Sequence, residues 1–531
     1  MSQTSGETTD YSSRKVAILL TSVFIIAICG ILYELLISSI SSYFQGSSIL
    51  HFSIVIGLFL SFMGVGSYLT KFLNRDLLGW FILFEILLSI VGGFSTFILY
   101  FAFSLTPYYY GVAFILLGFL GTMIGLEIPI LTRIVRQYES LKDAMAKVLS
   151  FDYLGALIAS VLFPLILLPS LGLMRTAFAI GMLNLMVAIL NIWLFRTELQ
   201  GYVRRLILCG VVMAVLLSGF IYSFQITGFF DRFLYQDEIM LSRQSAYQQI
   251  VVTKWNQDIR LFIDGNLQFS SRDEYRYHEP LVHIPMMLSM SRERILVLGG
   301  GDGFVARELL KYPEVKQIDL VDLDPEITKL GSLHPVFVRL NDSSLNHPKV
   351  HIFNEDAYKF VEKSSDFYDV VIIDLPDPNN TSLGKLYSRE FYFLLRKRLS
   401  VGGVFVTQST SPYFAPQAFW CIYRTIKEEF DQTIPYQVYV PSFGQWGFNL
   451  AINEPGKIRS EDGSFPQQAI AESHKYLDLY GAGKNLRFLN TETLPSIFSF
   501  DGDTREVEVE VNQLDNQVLI QYYEKSWDDW R

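Results

Sequence analysis

The sequence predicts two parts of different fold class, a multi-pass α-helical membrane domain followed by an α/β domain. Two observations support this prediction. Apolar runs of about 20 residues, the length that crosses a bilayer, recur until about residue 224 and then stop. After residue 290, short apolar runs alternate with amphipathic stretches, which is typical of strands and helices in a parallel sheet.

The first part contains segments that are long and apolar enough to cross a membrane. They are residues 16–38, 50–70, 78–103, 109–132, 148–170, 174–195 and 206–224. We therefore expect a domain of about seven helices over residues 1–225, in contact with the lipid bilayer. Arg14 and Lys15 precede the first segment, but its apolar stretch is too long for a secretory signal peptide.

Charge divides the chain in the same way. Residues 1–230 carry 12 Lys+Arg and 10 Asp+Glu, whereas residues 231–531 carry 31 and 43. An acidic soluble part favours cationic ligands and argues against nucleic acid as a partner.

The three cysteines are Cys29, Cys209 and Cys421. Their spacing supports neither a disulfide framework nor a zinc site, so we expect no metal.

A small β unit precedes the predicted sheet. Residues 246–252 and 259–269 alternate as strands do, and Asp264-Gly265 within the second run predicts a hairpin turn. The acidic, aromatic stretch at 272–279 leads into a helix that we expect to continue to about residue 290.

Residues 294–303 join an apolar strand to a glycine cluster, and a helix follows at 304–312. Open α/β sheets hold nucleosides in this way, because glycine lets backbone approach the ligand and the helix N-terminus offers unpaired N–H groups. Asp302 in this loop would repel an anion and attract an ammonium group. A donor with a free amine and no carboxylate therefore fits better than intact S-adenosylmethionine. The alternative is a tight turn that binds nothing.

Acidic residues follow several of the predicted strands, which are 294–299, 317–323, 350–354, 369–374 and 403–408. Asp322 suits a ribose diol, and Asp356 could accept a hydrogen bond from an adenine amino group. Asp374 and Asp377 follow the fourth strand. Ligands of such sheets bind beyond the carboxyl ends of the strands, so these carboxylates and Asp302 should converge on one crevice. Each could instead be a helix cap or a turn residue.

Taken together, these motifs resemble those of the spermidine synthases, a family of polyamine aminopropyltransferases. The matching residues are Tyr247-Gln248, Arg272-Asp273-Glu274, Tyr277-His278-Glu279, Gly299 to Gly303, Val321 to Asp324, Asp356-Ala357, Asp374 to Pro378 and Phe391-Tyr392. The resemblance covers about residues 240–453, with a weaker echo near 486–500. The apolar half looks like that of the membrane-attached bacterial variants.

The resemblance implies a Rossmann-like, methyltransferase-type parallel sheet behind the small β unit. We expect a β-hairpin substrate-binding subdomain with its linking helix over residues 226–290. The aminopropyltransferase catalytic domain, with a C-terminal extension, would span residues 291–531.

The resemblance also implies a reaction. An aminopropyl group would move from decarboxylated S-adenosylmethionine, the co-substrate, to putrescine or a similar diamine, giving spermidine and methylthioadenosine without a cofactor. Asp374 would be the catalytic acid/base residue. The thioadenosine part of the donor would be held by Gln248, Asp322, Asp356 and Ala357. Asp302 would bind the aminopropyl ammonium, and the acceptor would lie along Tyr277, His278 and Asp377.

Three departures from the family pattern concern acceptor identity and turnover more than the reaction class. The ribose strand ends in Asp322, where Glu is usual. The loop after Asp377 reads Asn379-Asn380-Thr381-Ser382 and lacks the family's Gly-Pro. Phe443 falls where many members have a tyrosine that hydrogen-bonds the attacking amine.

Two other functions are open to the same sequence. An S-adenosylmethionine-dependent methyltransferase would share the sheet, although Asp302 and the 277–279 segment argue against it. A polyamine transporter or sensor would use the soluble domain for binding alone, although Asp374 and Asp377 argue against that.

The acidic residues of the apolar segments are Glu34, Glu85, Glu127 and Asp152. They could line a path for a polyamine or a proton, or lie near helix ends or bond between helices.

The side of the membrane is ambiguous. Lys and Arg cluster at 14–15, 71–75, 133–147 and 196–205, so the positive-inside rule puts the N-terminus in the cytoplasm. Seven crossings would then leave the catalytic domain outside. A donor made in the cytoplasm favours a cytoplasmic domain, which requires one segment not to cross. We expect a multi-pass protein of the inner membrane that forms a homodimer or homo-oligomer.

Overall fold

The computed structural model describes residues 4–45, 48–235, 237–453, 471, 473–477 and 485–528. The chain divides into two compact units, Met1–Met240 and Leu241–Arg531. We call the first the apolar helical unit and the second the α/β unit. This division lies later in the chain than the expected boundary at 225/226.

The described part of the apolar helical unit is α-helical apart from short turns and the start of one strand. Its α-helices are α1 (Thr4–Gln45), α2 (Ser48–Leu69), α3 (Leu77–Gly93), α4 (Ser95–Leu105), α5 (Tyr109–Val135), α6 (Leu141–Leu162), α7 (Leu168–Leu194), α8 (Tyr202–Ile221) and α9 (Ser223–Tyr235). By length and hydropathy, five described helical stretches could cross a membrane, and six if α3 and α4, bent by 41° at their junction, count as one span.

This count is lower than the seven segments expected. The segments at 148–170 and 174–195 lie in one helical stretch, Leu141–Leu194. A π-helical turn at Phe163–Leu167 leads into α7, and Gly172, with φ 72° and ψ 174°, divides this stretch into two helices at a kink. The lower number therefore arises because two helices are counted as one stretch, and it does not remove either of the two expected segments.

The α/β unit begins with a four-stranded sheet of order β1-β2-β3-β4. Its strands are β1 (Glu238–Gln244), β2 (Gln249–Trp255), β3 (Asp258–Ile263) and β4 (Asn266–Ser270). The expected hairpin turn is confirmed, because Asp264 and Gly265 join β3 to β4 with φ values of 46° and 80°. Two successive positive φ angles are typical of a type I′ turn, whose twist matches that of the flanking strands.

The second sheet has seven strands in the order β10-β11-β9-β8-β5-β6-β7. They are β5 (Arg294–Gly299), β6 (Gln317–Val321), β7 (Val350–Phe353), β8 (Tyr368–Asp374), β9 (Leu399–Gln408), β10 (Gln432–Val440) and β11 (Gly444–Ile452). The five parallel strands agree with the sequence prediction. The sheet is mixed, however, since β11 pairs antiparallel with both β9 and β10. Pro435 lies in β10, which is an edge strand and can therefore tolerate a residue without an N–H.

Helices connect and flank the strands of this sheet. They are α10 (Tyr275–Leu288), α11 (Phe304–Leu309), α12 (Pro325–Leu333), α13 (Pro335–Leu340), α14 (Ala357–Lys363), α15 (Thr381–Gly384), α16 (Arg389–Arg396), α17 (Pro416–Lys427), α18 (Leu494–Ile497) and α19 (Val518–Asp528). The chain runs outward from β5 through β6 to β7 and then returns to β8 on the other side of β5. This reversal makes the carboxyl ends of β5 and β8 the topological switch point, where open α/β sheets bind ligands.

Candidate active site

The glycine loop after β5 lies directly against the end of β8. Gly299 pairs with Asp374 across the two strands and has a φ of 84°. A Cβ at Gly299 would lie 2.0 Å from the carbonyl oxygen of Asp374, and a Cβ at Gly301 would lie 2.5 Å from Oδ2 of Asp322. Glycine at these positions therefore lets the loop pass between two carboxylate-bearing strand ends.

Tyr277 and Asp374 form a short hydrogen bond at the switch point. The Tyr277 hydroxyl, from the first turn of α10, donates to Oδ1 of Asp374 at 2.6 Å. Burial raises the pKa of Asp374 above its ordinary value. Burial and the neighbouring Asp374 charge raise the pKa of Tyr277 well above 10. Tyr277 therefore stays protonated and acts as a hydrogen-bond donor. The Asp374 carboxylate is more basic than that of an exposed aspartate.

His278 follows Tyr277 in α10, and its imidazole is held in place by Glu274. Its Nδ1 is 3.0 Å from Oε2 of Glu274, and the Arg307 guanidinium donates to the same carboxylate at 2.9 Å. Burial acts to lower the pKa of His278, but the Glu274 carboxylate outweighs it and the pKa is raised. The imidazole is therefore oriented by the buried Glu274, which is itself paired with the partly buried Arg307, and the sequence did not indicate this pair.

Asp302 occupies the glycine loop, as expected. Its Oδ1 accepts the N–H of Phe304 at 3.1 Å, while Asn341 donates to its carbonyl oxygen at 2.7 Å. Burial raises the pKa of Asp302 to about 6, and the charges of His278 and Asp374 also act on it. The structure thus brings together Asp302, His278 and Asp374, three residues from separate parts of the sequence.

Asp322 directly follows β6 and supports the glycine loop from the other side. It accepts the N–H of Gly301 at 3.1 Å and that of Asp324 at 2.9 Å. Burial raises its pKa to about 7. The Gln248 amide donates to Oδ2 of Asp324 at 3.0 Å, and the Ser245 hydroxyl donates to the same oxygen at 2.6 Å. Asp324 therefore fixes Gln248 at the edge of the site.

Asp356 has a structural partner that the sequence did not indicate. Its Oδ2 accepts from the Lys385 ammonium at 2.6 Å, and its Oδ1 accepts the N–H of Lys359, so it caps α14. Burial acts to raise the pKa of Asp356, but these donors outweigh it and the pKa is lowered. Ala357 is buried at the start of the same helix. The helix-cap alternative is thus realised at Asp356, and it leaves the carboxylate ionised.

Asp377 is surrounded by hydroxyl and amide donors. The Tyr523 hydroxyl of α19 donates to its Oδ2 at 2.8 Å, and weaker contacts of 3.4 Å come from Gln408 and Thr410. Burial raises the pKa of Asp377 to about 6, although these donors act to lower it. Gln408 ends β9, so the strand-end rule could have found it. Nothing in the local sequence indicates Tyr523.

Phe443 follows β10 and lies near the Tyr277–Asp374 pair. Its ring is 6.1 Å from that of Tyr277 at 85°, and it also packs on Trp446 at 5.3 Å. It supplies an apolar wall without a hydroxyl, so only Tyr277 and Asp374 are placed to hydrogen-bond an incoming group here.

Within the described residues no group of His, Cys, Asp and Glu is arranged to hold a metal ion.

This arrangement can hold a cation and accept a proton. The carboxylates of Asp302 and Asp374 lie close together at the switch point, and Asp374 accepts the hydrogen bond of the Tyr277 hydroxyl. Such a site suits a ligand with ammonium groups and a reaction that releases a proton from nitrogen.

Comparison with known proteins agrees with this chemistry. Residues 274–461 match the family described as spermine/spermidine synthase domain. A polyamine aminopropyltransferase of Leptospira interrogans is 45% identical over 95% of this chain and 98% of its own length. Polyamine aminopropyltransferase 2 of Ralstonia nicotianae is 43% identical over 97% of this chain and 99% of its own length.

A crystal structure of spermidine synthase in complex with the transition-state analogue AdoDATO is also similar. It is 25% identical over 50% of this chain and 86% of that chain, with a TM-score of 0.43, so no residue position is transferred from it. The relatives from Leptospira and Ralstonia, in contrast, align over nearly the whole chain, through both units. This protein therefore belongs to the polyamine aminopropyltransferase family.

Proposed function

We propose that this transferase moves the aminopropyl group of decarboxylated S-adenosylmethionine to putrescine or a similar diamine, giving spermidine and methylthioadenosine. The observation that carries the proposal is the 2.6 Å bond between Tyr277 and Asp374 beside the glycine loop. This pair lies at the switch point with Asp302 and His278, where donor and acceptor must meet.

The chemistry needs a base rather than a nucleophilic side chain. The donor sulfonium is already a good leaving group, so the amine nitrogen can attack its carbon directly as the carbon–sulfur bond breaks. The attacking amine must be neutral, and the new nitrogen–carbon bond leaves a surplus proton on nitrogen. Asp374 takes that proton, and the Tyr277 oxygen positions the amine through its lone pair. Alignment of nitrogen, carbon and sulfur supplies much of the acceleration.

The donor would lie over the glycine loop. Asp302 carries a charge that matches the aminopropyl ammonium, and Asp322 can accept from the ribose hydroxyls once the ligand is present. Gln248, Asp356 and Ala357 would border the nucleoside. Because Asp356 is already paired with Lys385 at 2.6 Å, its part in adenine binding would be shared with that lysine.

The acceptor would extend from the Tyr277–Asp374 pair towards Asp377. The near amine meets Asp374, while Asp377 binds the far ammonium and so selects diamine length. His278, held by Glu274, borders the same channel. The absence of a hydroxyl at Phe443 removes one contact to the attacking amine, which would lower turnover more than it changes the reaction.

The test is an assay of the purified full-length protein with decarboxylated S-adenosylmethionine, intact S-adenosylmethionine and a panel of amines. We expect spermidine and methylthioadenosine from putrescine, unchanged by EDTA. Methylated product from the intact donor, without aminopropyl transfer, would refute the proposal and favour a methyltransferase.

We also propose that the apolar helical unit spans the inner membrane and that the α/β unit faces the cytoplasm, where its charged donor is made. The positive-inside rule assigns the N-terminus to the cytoplasm. An even number of crossings returns the chain to that side. Because seven crossings would leave the α/β unit outside, this placement requires one of the seven apolar segments to be re-entrant or interfacial.

Sidedness can be measured by thiol labelling, since all three native cysteines are buried. Ser365 is exposed in the α/β unit, so Ser365→Cys adds one accessible thiol. A membrane-impermeant maleimide should label it in inverted vesicles and leave it unlabelled in intact cells. Labelling in intact cells would reject the cytoplasmic placement.

Assembly as a homodimer or homo-oligomer stays a prediction, which light scattering of the detergent-purified protein would test.

A further inference from the structure

Helix α10 carries two buried histidines whose ring nitrogens are bonded differently. His283 is 0% exposed, and its Nδ1 lies 2.8 Å from the Tyr312 hydroxyl while its Nε2 lies 2.8 Å from Oε2 of Glu308. His278 is 2% exposed and is bonded through Nδ1 alone, to the carbonyl oxygen of Glu274 at 2.9 Å and to its carboxylate at 3.0 Å. Among the described residues, Nε2 of His278 has no hydrogen-bond partner. Because buried polar atoms are generally paired, this nitrogen is available to a ligand.

The partners of His278 determine which of its nitrogens carries hydrogen. Arg307 donates to both carboxylate oxygens of Glu274, at 3.0 and 2.9 Å. Burial acts to raise the pKa of Glu274, but His278 and Arg307 outweigh it and the pKa is lowered, so this carboxylate is ionised. A carbonyl oxygen and an ionised carboxylate only accept hydrogen bonds, so Nδ1 of His278 is the nitrogen that donates. In the neutral ring the lone pair is therefore on Nε2.

The His278 ring borders the catalytic crevice. It packs against the rings of Tyr277 and Phe304, each with 5.0 Å between centroids. Tyr277 is bonded to Asp374, and the N–H of Phe304 is bonded to Asp302 in the glycine loop. The ring thus lies at the place where the proposed base and the proposed donor site come together.

The charge of the ring depends on what occupies the crevice. Burial acts to lower the pKa of His278, but the carboxylates outweigh it and the pKa is raised; they are those of Glu274, Asp302 and Asp374. Without a ligand, an imidazolium compensates these carboxylates. A bound ammonium group supplies the positive charge instead and repels an imidazolium. The neutral ring, with its Nε2 lone pair, is therefore the form that accompanies a bound ammonium group.

We propose that Glu274 is a positioning residue, which holds His278 with hydrogen on Nδ1 so that Nε2 accepts a hydrogen bond from an ammonium group of the acceptor. Without this carboxylate the ring is free to turn or to adopt the other tautomer, and an Nε2–H group would then meet the ammonium. The statement that the ligand is an acceptor diamine rests on the proposed function.

The second histidine supplies a matched control in the same interface between α10 and α11. Glu308 accepts from Nε of Arg307 at 3.0 Å and pairs with His283, so Glu308→Gln also removes a carboxylate from this buried network. Both ring nitrogens of His283 are used within the protein, however, and neither is left for a ligand. If Glu274 served only the packing of the two helices, both substitutions would have the same consequences.

The test combines the Kd of radiolabelled putrescine, measured with methylthioadenosine present, and steady-state kinetics of the full-length protein in detergent. Glu274→Gln should raise both the Kd and the KM for putrescine about ten- to a hundredfold, the loss expected for a charge-assisted hydrogen bond. The kcat at saturating putrescine should stay near that of the wild type, since a binding contact is lost. Glu308→Gln should lower the melting temperature and leave Kd and KM unchanged. In a His278→Ala background, Glu274→Gln should add little, because it acts through His278.

Substitution of His278 itself identifies the atom and does not depend on the folding of Glu274→Gln. A glutamine amide reaches the position of Nε2, whereas an asparagine amide lies near that of Nδ1. His278→Gln should therefore retain more affinity for putrescine than His278→Asn. Equal Kd values for these two variants would overturn the inference.

Two further results would also overturn it: additive effects of Glu274→Gln and His278→Ala on the Kd, or equal effects of Glu274→Gln and Glu308→Gln. The expected pattern of Kd values in a protein that forms no spermidine would support this inference and refute the proposed function. Spermidine formation with a KM that Glu274→Gln leaves unchanged would support the proposed function and refute this inference.

Discussion

Replacing Asp374 by asparagine tests the proposed base most directly. The substitution keeps the side-chain shape, and the asparagine oxygen can still accept the hydrogen bond that Tyr277 donates at 2.6 Å. The pairing of Asp374 with Gly299 uses backbone atoms and is unaffected. The change therefore removes negative charge and proton acceptance and leaves the architecture of the loop in place.

The expected loss can be stated for rate and for stability. General-base loss lowers kcat by about 10²- to 10⁴-fold, or about 2.7–5.4 kcal/mol of transition-state stabilisation at about 1.36 kcal/mol per tenfold. Because burial raises the folded-state pKa of Asp374, its ionisation destabilises the fold as the pH rises through that pKa. Asparagine removes this cost, so the melting temperature at pH 8 should be no lower than that of the wild type.

Single-turnover rates with decarboxylated S-adenosylmethionine and putrescine, together with melting curves, will measure both effects. Asp369→Asn is the matched control, because Asp369 lies at the opposite end of β8 and accepts the N–H groups of Glu293 and Arg294. It should lower stability and leave the rate near that of the wild type. A rate close to wild type in Asp374→Asn, or loss of its folding transition, would refute the assignment of the base.

Three further predictions concern the neighbouring carboxylates. Asp302→Asn should weaken binding of the decarboxylated donor about ten- to a hundredfold, and methylthioadenosine, which lacks the amine, should bind as before in calorimetry; equal weakening of both would indicate a role in loop structure. Tyr523→Phe should raise the KM for putrescine about tenfold, because the 2.8 Å hydrogen bond to Asp377 is lost. Tyr522→Phe on the same helix is the control and should leave the KM unchanged. Equal KM values in both variants would contradict this prediction. The kcat/KM for putrescine should fall as the pH drops through about 6, since burial raises the pKa of Asp302 and of Asp377 to about 6 and protonation removes the charges that attract the amine. A profile flat from pH 5 to 8 would be inconsistent with that role.

Much of the α/β unit could be predicted from the sequence because its signals are local. Strand periodicity and the glycine cluster predicted the five parallel strands and the loop after β5. The hairpin at Asp264-Gly265 followed from turn chemistry alone. Strand ends of a parallel sheet meet at one edge, so Asp302 and Asp374 could be expected to converge before any contact was known.

The partner of each side chain, in contrast, was decided by tertiary packing. Tyr523 reaches Asp377 from 146 positions along the chain, and Lys385 donates to Asp356, the residue that was expected to accept from an adenine amino group. The antiparallel strands β10 and β11 were not predicted, and Pro435 is tolerated within β10 because β10 is an edge strand.

The apolar helices illustrate the same division. Composition determined that they are long and apolar enough to cross a bilayer, and it marked Glu85 and Glu127 as unusual there. Only packing decided that these two carboxyl groups lie together. Hydropathy and strand periodicity are summed over neighbours in sequence, whereas charge compensation depends on residues that folding brings together from distant segments.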